Sequence, residues 1–116
     1  MDLVFLVDDS SSIREAEWPE VQSFLTSVVS EFNVSRDATR IGIVRYASQA
    51  NVIYRLSSTQ TVSSVGNAVR QMAHLGGSTN LAAALRTAFQ QVFLPAHRPG
   101  AAKVGLAVVF RSLALL

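Results

Sequence analysis

The first apolar stretch of the chain is an uninterrupted run of five residues, 3–7. Such a run is typical of a strand that is buried on both faces, as in a parallel sheet. It ends at two carboxylates and three hydroxyls, residues 8–12. In open α/β sheets, ligands bind in the crevice beyond the carboxyl ends of the strands. The pattern therefore predicts a central strand with a group of oxygen donors at its ligand-binding end.

Three later stretches have apolar residues at intervals of three and four, the spacing of an amphipathic helix. We predict helices over about residues 18–32, 62–72 and 81–92. Pro19 fits only in the first turn of a helix, and Pro95 ends the third one. The apolar positions are Val21, Phe24, Leu25, Val28, Val29 and Phe32, then Val62, Val65, Val69 and Met72, then Leu81, Leu85, Ala88, Phe89 and Val92.

Three further strands are predicted, over residues 39–47, 52–56 and 103–110. The first two are separated by only a short polar turn, so we expect them to pair as an antiparallel hairpin. The predicted order is β-α-β-β-α-α-β. This order indicates an α/β fold with a mostly parallel sheet, one antiparallel edge strand and helices on both faces.

Length and composition restrict the class of protein. A chain of 116 residues is one domain at most, and 49% apolar residues with 16% charged ones describe a chain that folds. The ten basic residues are scattered and the net charge is only +2, which indicates a solvated surface and no nucleic-acid partner. There is no cysteine for a disulfide or a thiolate ligand. No apolar run approaches the roughly 18 residues of a membrane span.

The residues after the first strand have the chemistry of a hard-cation site. Asp8, Ser10 and Ser12 occupy alternate positions, so an extended or looped backbone can turn all three side chains to one side. Carboxylate and hydroxyl oxygens suit Mg²⁺ or Mn²⁺. We therefore predict a Mg²⁺ or Mn²⁺ site at this position.

The pattern Asp8-x-Ser10-x-Ser12 at the end of an apolar strand resembles the metal-ion-dependent adhesion site of von Willebrand factor type A domains. Three further segments are similar to the family in the same order: 39–46 to its second strand, 75–80 to the loop that supplies a metal-binding threonine, and 98–104 to the approach to its fourth strand. The resemblance covers about residues 2–108, and the A domains of matrilins and of collagens are the most similar members. It implies a Rossmann-like von Willebrand A fold.

The resemblance implies four metal ligands, Asp8, Ser10, Ser12 and Thr79. It also implies that an acidic side chain of a partner protein completes the coordination of the metal. Expected partners are extracellular matrix proteins such as collagens, or cell-surface receptors, and the expected location is extracellular, as for a secreted protein. No signal peptide is visible in this chain, because Met1 is followed at once by the first strand. At the position of Asp9 the family more often has a small residue; the Asp9 carboxylate either joins the metal or points to solvent, and we expect the latter.

The chain departs from the family after the fourth strand, where the family has a Thr-Asp-Gly turn with a further aspartate. This chain has Phe110, Arg111 and Ser112 there, and no acidic residue follows Asp37. We therefore expect a weakened metal site, in a partial, C-terminally truncated domain of residues 1–110 with a tail, 111–116, that is unlike the family. The alternative is a truncated structural fragment with no working metal site.

A second alternative is a Mg²⁺-dependent phosphatase-like enzyme with Asp8 as nucleophile. Such an enzyme needs a second carboxylate two residues later as general acid, and that position is Ser10. We therefore predict a non-catalytic protein. Asn33 begins an Asn-Val-Ser sequon, a candidate site of N-glycosylation. Trp18 is expected to be a packing residue, and His74 a loop histidine beside the predicted site rather than a ligand-binding group.

Overall fold

The structure is a computed structural model that describes residues 1–11, 13–35, 38–57, 59–96 and 98–108. Predictions for Ser12 and for the tail 111–116 therefore lie outside the described residues. The strands are β1 Asp2–Asp8, β2 Arg40–Tyr46, β3 Ala50–Tyr54 and β4 Lys103–Val108. The helices are α1 Trp18–Ser30, preceded by a 3₁₀ turn at Glu15–Glu17, then α2 Val62–Gln71 and α3 Leu81–Thr87, which continues as a π-helical segment over Ala88–Phe93.

The four strands form one sheet in the order β3-β2-β1-β4. β1 pairs in parallel with both β2 and β4, whereas β3 is antiparallel to β2. The predicted α/β architecture, with one antiparallel edge strand, is therefore confirmed. Because β1 has a parallel neighbour on each side, its carboxyl end lies at the middle of the ligand-binding edge of the sheet.

β1 sends alternate side chains into two separate cores, which explains its uninterrupted apolar sequence. Leu3, Phe5 and Val7 pack with the buried faces of α1 and α2. Val4 and Leu6 pack on the other face of the sheet with the small residues of α3 and the π-helical segment. Helices therefore cover both faces of β1, and the strand is a fixed platform for the polar residues that follow it.

The third helix meets the sheet through smaller residues than its apolar pattern suggested. Ala84, Ala88 and Val92 are buried, whereas Leu81, Leu85 and Phe89 are exposed. Gly42 of β2 leaves room for this contact, because a Cβ atom there would lie 3.0 Å from Val92 Cγ1. The correct face of this helix was therefore not evident from residue size alone.

The amino end of β1 is closed by a buried ion-pair cluster. Asp2 is completely buried and accepts hydrogen bonds from Arg40 Nε and Nη2, both at 2.9 Å, and from Arg98 Nη2 at 2.8 Å. Burial raises the pKa of the Asp2 carboxyl, but Arg40 and then Arg98 outweigh it and hold the pKa below its usual 3.8.

Among the described helices, none has the length and apolar character that a membrane crossing requires.

Candidate metal site

The loop that follows β1 is joined to the 75–80 segment by paired hydrogen bonds. The Ser11 backbone N–H donates to the Gly77 carbonyl at 2.8 Å, and the Gly77 N–H donates to Ser11 Oγ at 2.8 Å. Gly76 and Gly77 have φ values of +78° and +120°, a region in which L side chains are strained. The two glycines therefore let this segment fold back onto the β1 loop.

The turn between β2 and β3 holds the other side of the same segment. The Asn80 N–H donates to the Ala47 carbonyl at 2.9 Å, and the Ser78 N–H donates to Ser48 Oγ at 3.0 Å. Asn80 also begins α3, since its side chain accepts a hydrogen bond from the Ala83 N–H. Thr79 lies between these two anchored residues and is exposed.

Asp8 is a buried carboxylate with no cationic partner in the described part of the chain. The residue is only 4% exposed, and its Oδ1 accepts a hydrogen bond from the Ser10 N–H at 2.8 Å. No described Arg, Lys or His nitrogen lies within 4.0 Å of it. The pKa of Tyr46 is raised first by burial and then by the negative charge of Asp8. A buried charge is costly unless it is paired, so a bound cation would stabilise this position.

The oxygen donors at this position fit a hard cation. Asp8 and Ser10 are both buried at the end of β1, and the Thr79 segment is bonded to the loop that follows them. No group of three or more His, Cys, Asp or Glu side chains in the described ranges is placed to hold a metal. Hydroxyl groups and water would therefore have to complete the coordination, as Mg²⁺ tolerates.

The expectation that Asp9 points to solvent is wrong. Asp9 is 1% exposed, and its carboxylate accepts hydrogen bonds from the Leu75 N–H, at 3.0 Å to Oδ2, and from His74 Nδ1. Arg45 Nε lies 3.5 Å from Oδ2. The carboxylate turns inward because two basic side chains and a backbone donor converge there, which compensates for the loss of its hydration.

His74 has a more specific environment than that of an ordinary loop histidine. Nδ1 faces Asp9, and Nε2 lies 2.6 Å from the Ile13 carbonyl. Both partners accept hydrogen bonds, so both are satisfied only when both ring nitrogens carry protons. Burial lowers the pKa of His74, but the bonds to Asp9 and Ile13 outweigh it and raise the pKa above its usual 6.5. The only sequence signal for these contacts of His74 was a weak one, namely a histidine close to the glycine pair.

Trp18 supports this histidine from below and is a packing residue, as predicted. It is 5% exposed, and its ring stacks on the His74 ring with 4.9 Å between centroids. Its Nε1–H donates to the Met72 carbonyl at 2.9 Å. Asn33 is exposed and precedes β2 at the far end of the sheet, and its use as a glycosylation site stays a prediction.

A small cavity of about 170 Å³ opens beside Asp9. It is lined by Asp9, Arg45, Ala47, Ser48, Gln49, Asn51, Leu75 and Gly76. Its walls therefore come from the residue that follows β1, from the β2–β3 hairpin and from the start of the 75–80 segment.

The sheet and the loops at the end of β1 are those of a known domain family. The chain belongs to the von Willebrand factor type A domain family, whose model matches residues 2–110. The human collagen alpha-1(XX) chain is 38% identical over 109 residues, which is 92% of this chain and 8% of that protein. Human matrilin-1 is 34% identical over 107 residues, which is 90% of this chain and 22% of that protein.

Solved structures agree with this assignment at the level of the fold. Proximal thread matrix protein 1 from the mussel byssus superposes with a TM-score of 0.83 at 24% identity, over 93% of this chain and 28% of that one. A second structure of that protein has a zinc-occupied MIDAS motif and superposes with a TM-score of 0.76 at 23% identity, over 96% of this chain and 29% of that one. This chain therefore spans less than a third of each of these proteins.

Proposed function

We propose that this chain is a non-catalytic protein-binding module of the extracellular matrix and cell adhesion type. It binds partners through a divalent cation, Mg²⁺ or Mn²⁺, held at the carboxyl end of β1. The observation that carries this proposal is the buried Asp8 carboxylate, which has no cationic partner among the described residues and lies beside Ser10. Membership of a family with collagen and matrilin relatives supports the adhesion role and an extracellular, secreted location.

In this proposal Asp8, Ser10, Ser12 and Thr79 hold the cation. The cation would supply a positive charge with an open coordination position, and an acidic side chain of the partner would occupy that position. Collagens, other matrix proteins and cell-surface receptors are the partner classes we propose. Binding of the chain to immobilised collagen in Mg²⁺, and its loss in a chelator, would test the first class directly.

We propose that cation binding is weaker here than in a site with a second carboxylate. The affinity of an oxygen site for a hard cation rises with the number of charged ligands. No aspartate or glutamate follows Asp37 in this sequence, and Asp9 is already bonded to His74, Leu75 and Arg45. The same observation favours the second candidate function, a structural module of this family that binds no metal.

Thermal unfolding with and without millimolar Mn²⁺ separates the two candidates. A ligand that binds only the folded state stabilises it by about 2.7 kcal/mol at 100 times its dissociation constant. We expect Mn²⁺ to raise the melting temperature of the wild-type chain by several degrees, because about 1 kcal/mol shifts a domain of this size by roughly 4–8 °C. Asp8→Asn keeps the side-chain shape but removes the charge, so it should abolish the increase.

Thr79 offers a graded control for the same measurement. Thr79→Ala removes a neutral ligand, so it should reduce the Mn²⁺ effect by less than Asp8→Asn does, and Thr79→Ser should restore it. A cooperative transition that Mn²⁺ does not shift, in the wild type as in the variants, would reject the metal site and leave the structural module. Equal and negligible effects of Asp8→Asn and Thr79→Ala on a real Mn²⁺ shift would reject these ligands.

A further inference from the structure

Asp9 connects the end of β1 to a segment more than 60 residues later in the chain. Both carboxylate oxygens lie within hydrogen-bond distance of the Leu75 N–H, at 3.2 Å for Oδ1 and 3.0 Å for Oδ2. Oδ1 also contacts His74 Nδ1. The backbone of Asp9 contributes as well, since its N–H donates to the Tyr46 carbonyl at 2.7 Å. One residue therefore touches the entry of the 75–80 segment and the end of β2.

The 75–80 segment has little structure of its own. It contains no helix or strand, and Leu75, Gly77, Ser78, Thr79 and Asn80 are all exposed. Its position is set by hydrogen bonds at three places: Leu75 to Asp9, Gly77 to Ser11, and Ser78 and Asn80 to the β2–β3 turn. The Asp9 residue is itself buried, and a charged acceptor makes stronger hydrogen bonds than a neutral one.

The charges around Asp9 make its carboxylate difficult to replace. His74 satisfies its two acceptors only when both ring nitrogens carry protons. Its Nδ1 contacts Oδ1 of the Asp9 carboxylate, whereas Arg45 Nε lies 3.5 Å from Oδ2. Arg45 also donates to the Ala73 carbonyl at 2.9 Å, so it too contacts the backbone that leads into the segment. Without the carboxylate, the Arg45 guanidinium would lose its anionic partner, and the His74 ring and the Leu75 N–H would lose an acceptor.

We propose that Asp9 is a positioning residue: its carboxylate fixes the 75–80 segment against the end of β1 and thereby sets the place of Thr79. The expected effect on metal affinity rests on the proposed metal function, whereas the hydrogen bonds of Asp9 do not depend on it. It assigns Asp9 a role outside the coordination of the metal, as a partner of the loop that supplies a ligand. Such outer partners commonly change metal affinity by about 10–100-fold when they are lost.

The first test uses metal-free protein and follows amide hydrogen exchange in Asp9→Asn. The informative amides are those of Gly77 and Asn80, which lie in the segment but donate to Ser11 and Ala47, not to Asp9. We expect both to exchange about tenfold faster or more, since the loss of a charged hydrogen bond is of that size. His74→Phe keeps a ring to stack on Trp18 but has no N–H donors, so it should have the same effect.

Asp2→Asn is the matched control, because it removes a buried, ion-paired carboxylate from the opposite end of the same strand. It should destabilise the protein globally while leaving the exchange at Gly77 and Asn80 unchanged relative to the amides of β1. The second test measures Mn²⁺ affinity by calorimetry below the melting temperature. Asp9→Asn should bind Mn²⁺ about tenfold more weakly or worse, and Asp2→Asn like the wild type.

Each outcome decides between the two proposals. Faster exchange with weaker Mn²⁺ binding supports the positioning role. Faster exchange in Asp9→Asn and His74→Phe, combined with no Mn²⁺ binding by the wild-type chain, supports the role of Asp9 in holding the segment but rejects the metal function. Unchanged exchange at Gly77 and Asn80 in both Asp9→Asn and His74→Phe overturns the inference, whatever the metal does. Faster exchange with unchanged Mn²⁺ affinity overturns the link from Asp9 to the metal site. If Asp9→Asn does not fold, His74→Phe alone decides in the same way.

Discussion

At the scale of single residues, three buried aspartates at the two ends of β1 have three different environments. Asp2 is neutralised by Arg40 and Arg98, and Asp9 by Arg45 and His74. Asp8 has a backbone N–H donor and no cationic partner in the described ranges. Of the three, Asp8 is therefore the carboxylate whose burial a bound metal ion would compensate most.

The raised pKa of His74 makes a prediction for stability as a function of pH. A group whose pKa is higher in the folded state contributes stability that is complete below its unfolded value, here 6.5, and is lost as the pH rises through the folded value. We expect the free energy of unfolding of metal-free protein to decrease over this interval above pH 6.5. Denaturant titrations at several pH values would measure it.

His74→Phe is the control for the pH dependence. The difference in unfolding free energy between wild type and variant should be largest below pH 6.5 and should shrink as the pH rises. Contributions from other titrating groups cancel in this difference when they are far from His74. A difference that stays constant from pH 5.5 to pH 8.5 would show that the protonation of His74 does not stabilise the fold.

At the scale of elements, the central feature is the close contact between β2 and the segment that follows α3. Val4 of β1 lies in register with Gly42 of β2 on one side and with Gly105 of β4 on the other. A Cβ at Gly42 would lie 3.0 Å from Val92 Cγ1 and 3.1 Å from Val4 Cγ2, whereas one at Gly105 would meet no described atom within 4 Å. Two glycines in equivalent places therefore differ in the space around them.

This difference predicts opposite effects of the same substitution. Gly42→Ala should lower the free energy of unfolding by about 1–3 kcal/mol, because extra atoms in a tightly packed core force shifts of their neighbours. Gly105→Ala should be neutral or stabilising by up to about 1 kcal/mol, because it restricts the unfolded chain. Urea unfolding of both variants would measure the two values. A larger loss for Gly105→Ala than for Gly42→Ala would contradict the packing described for α3 and the π-helical segment.

At the scale of the whole molecule, large apolar side chains are exposed on α3, on the segment that follows it and on the strand β4. Leu85, Phe89 and Leu94 are between 54% and 59% exposed, and Leu106 of β4 is 45% exposed. Within the described residues, β4 has a hydrogen-bonded neighbour on one side only, which is β1. Exposed apolar groups beside a free strand edge are typical of surfaces that associate.

We therefore predict that the chain self-associates with increasing concentration and that a charge on β4 prevents it. Leu106→Lys places a charge on the edge strand, the device by which natural sheets avoid pairing with other chains. Sedimentation velocity over a range of concentrations should show less association for this variant than for the wild type. Val62→Gln removes a 39% exposed apolar residue from α2, which contacts β3 at the opposite edge of the sheet, and should not have this effect. Equal association of all three proteins would contradict the prediction.

Local patterns in the sequence predicted most of the architecture. The apolar run 3–7 specified a doubly buried strand, and the periodic stripes of α1 and α2 specified helices, because burial of each element depends on a local repeat. The turn between β2 and β3 was short enough to fix their antiparallel pairing. The order of these elements then left few topologies, and the observed sheet is the expected one. The oxygen-rich residues after β1 were likewise evident as a candidate cation site.

The roles of the individual side chains at that site depend on contacts that form only in the folded chain. Asp9 and His74 are 65 residues apart, and nothing local to either shows that they meet, or that Arg45 completes the group. In the same way, the residues of α3 that contact the sheet were selected by the space above Gly42 and not by hydrophobicity. A local pattern shows whether a position is buried, whereas the charge state and role of a polar residue depend on the distant groups that lie within a few ångströms of it.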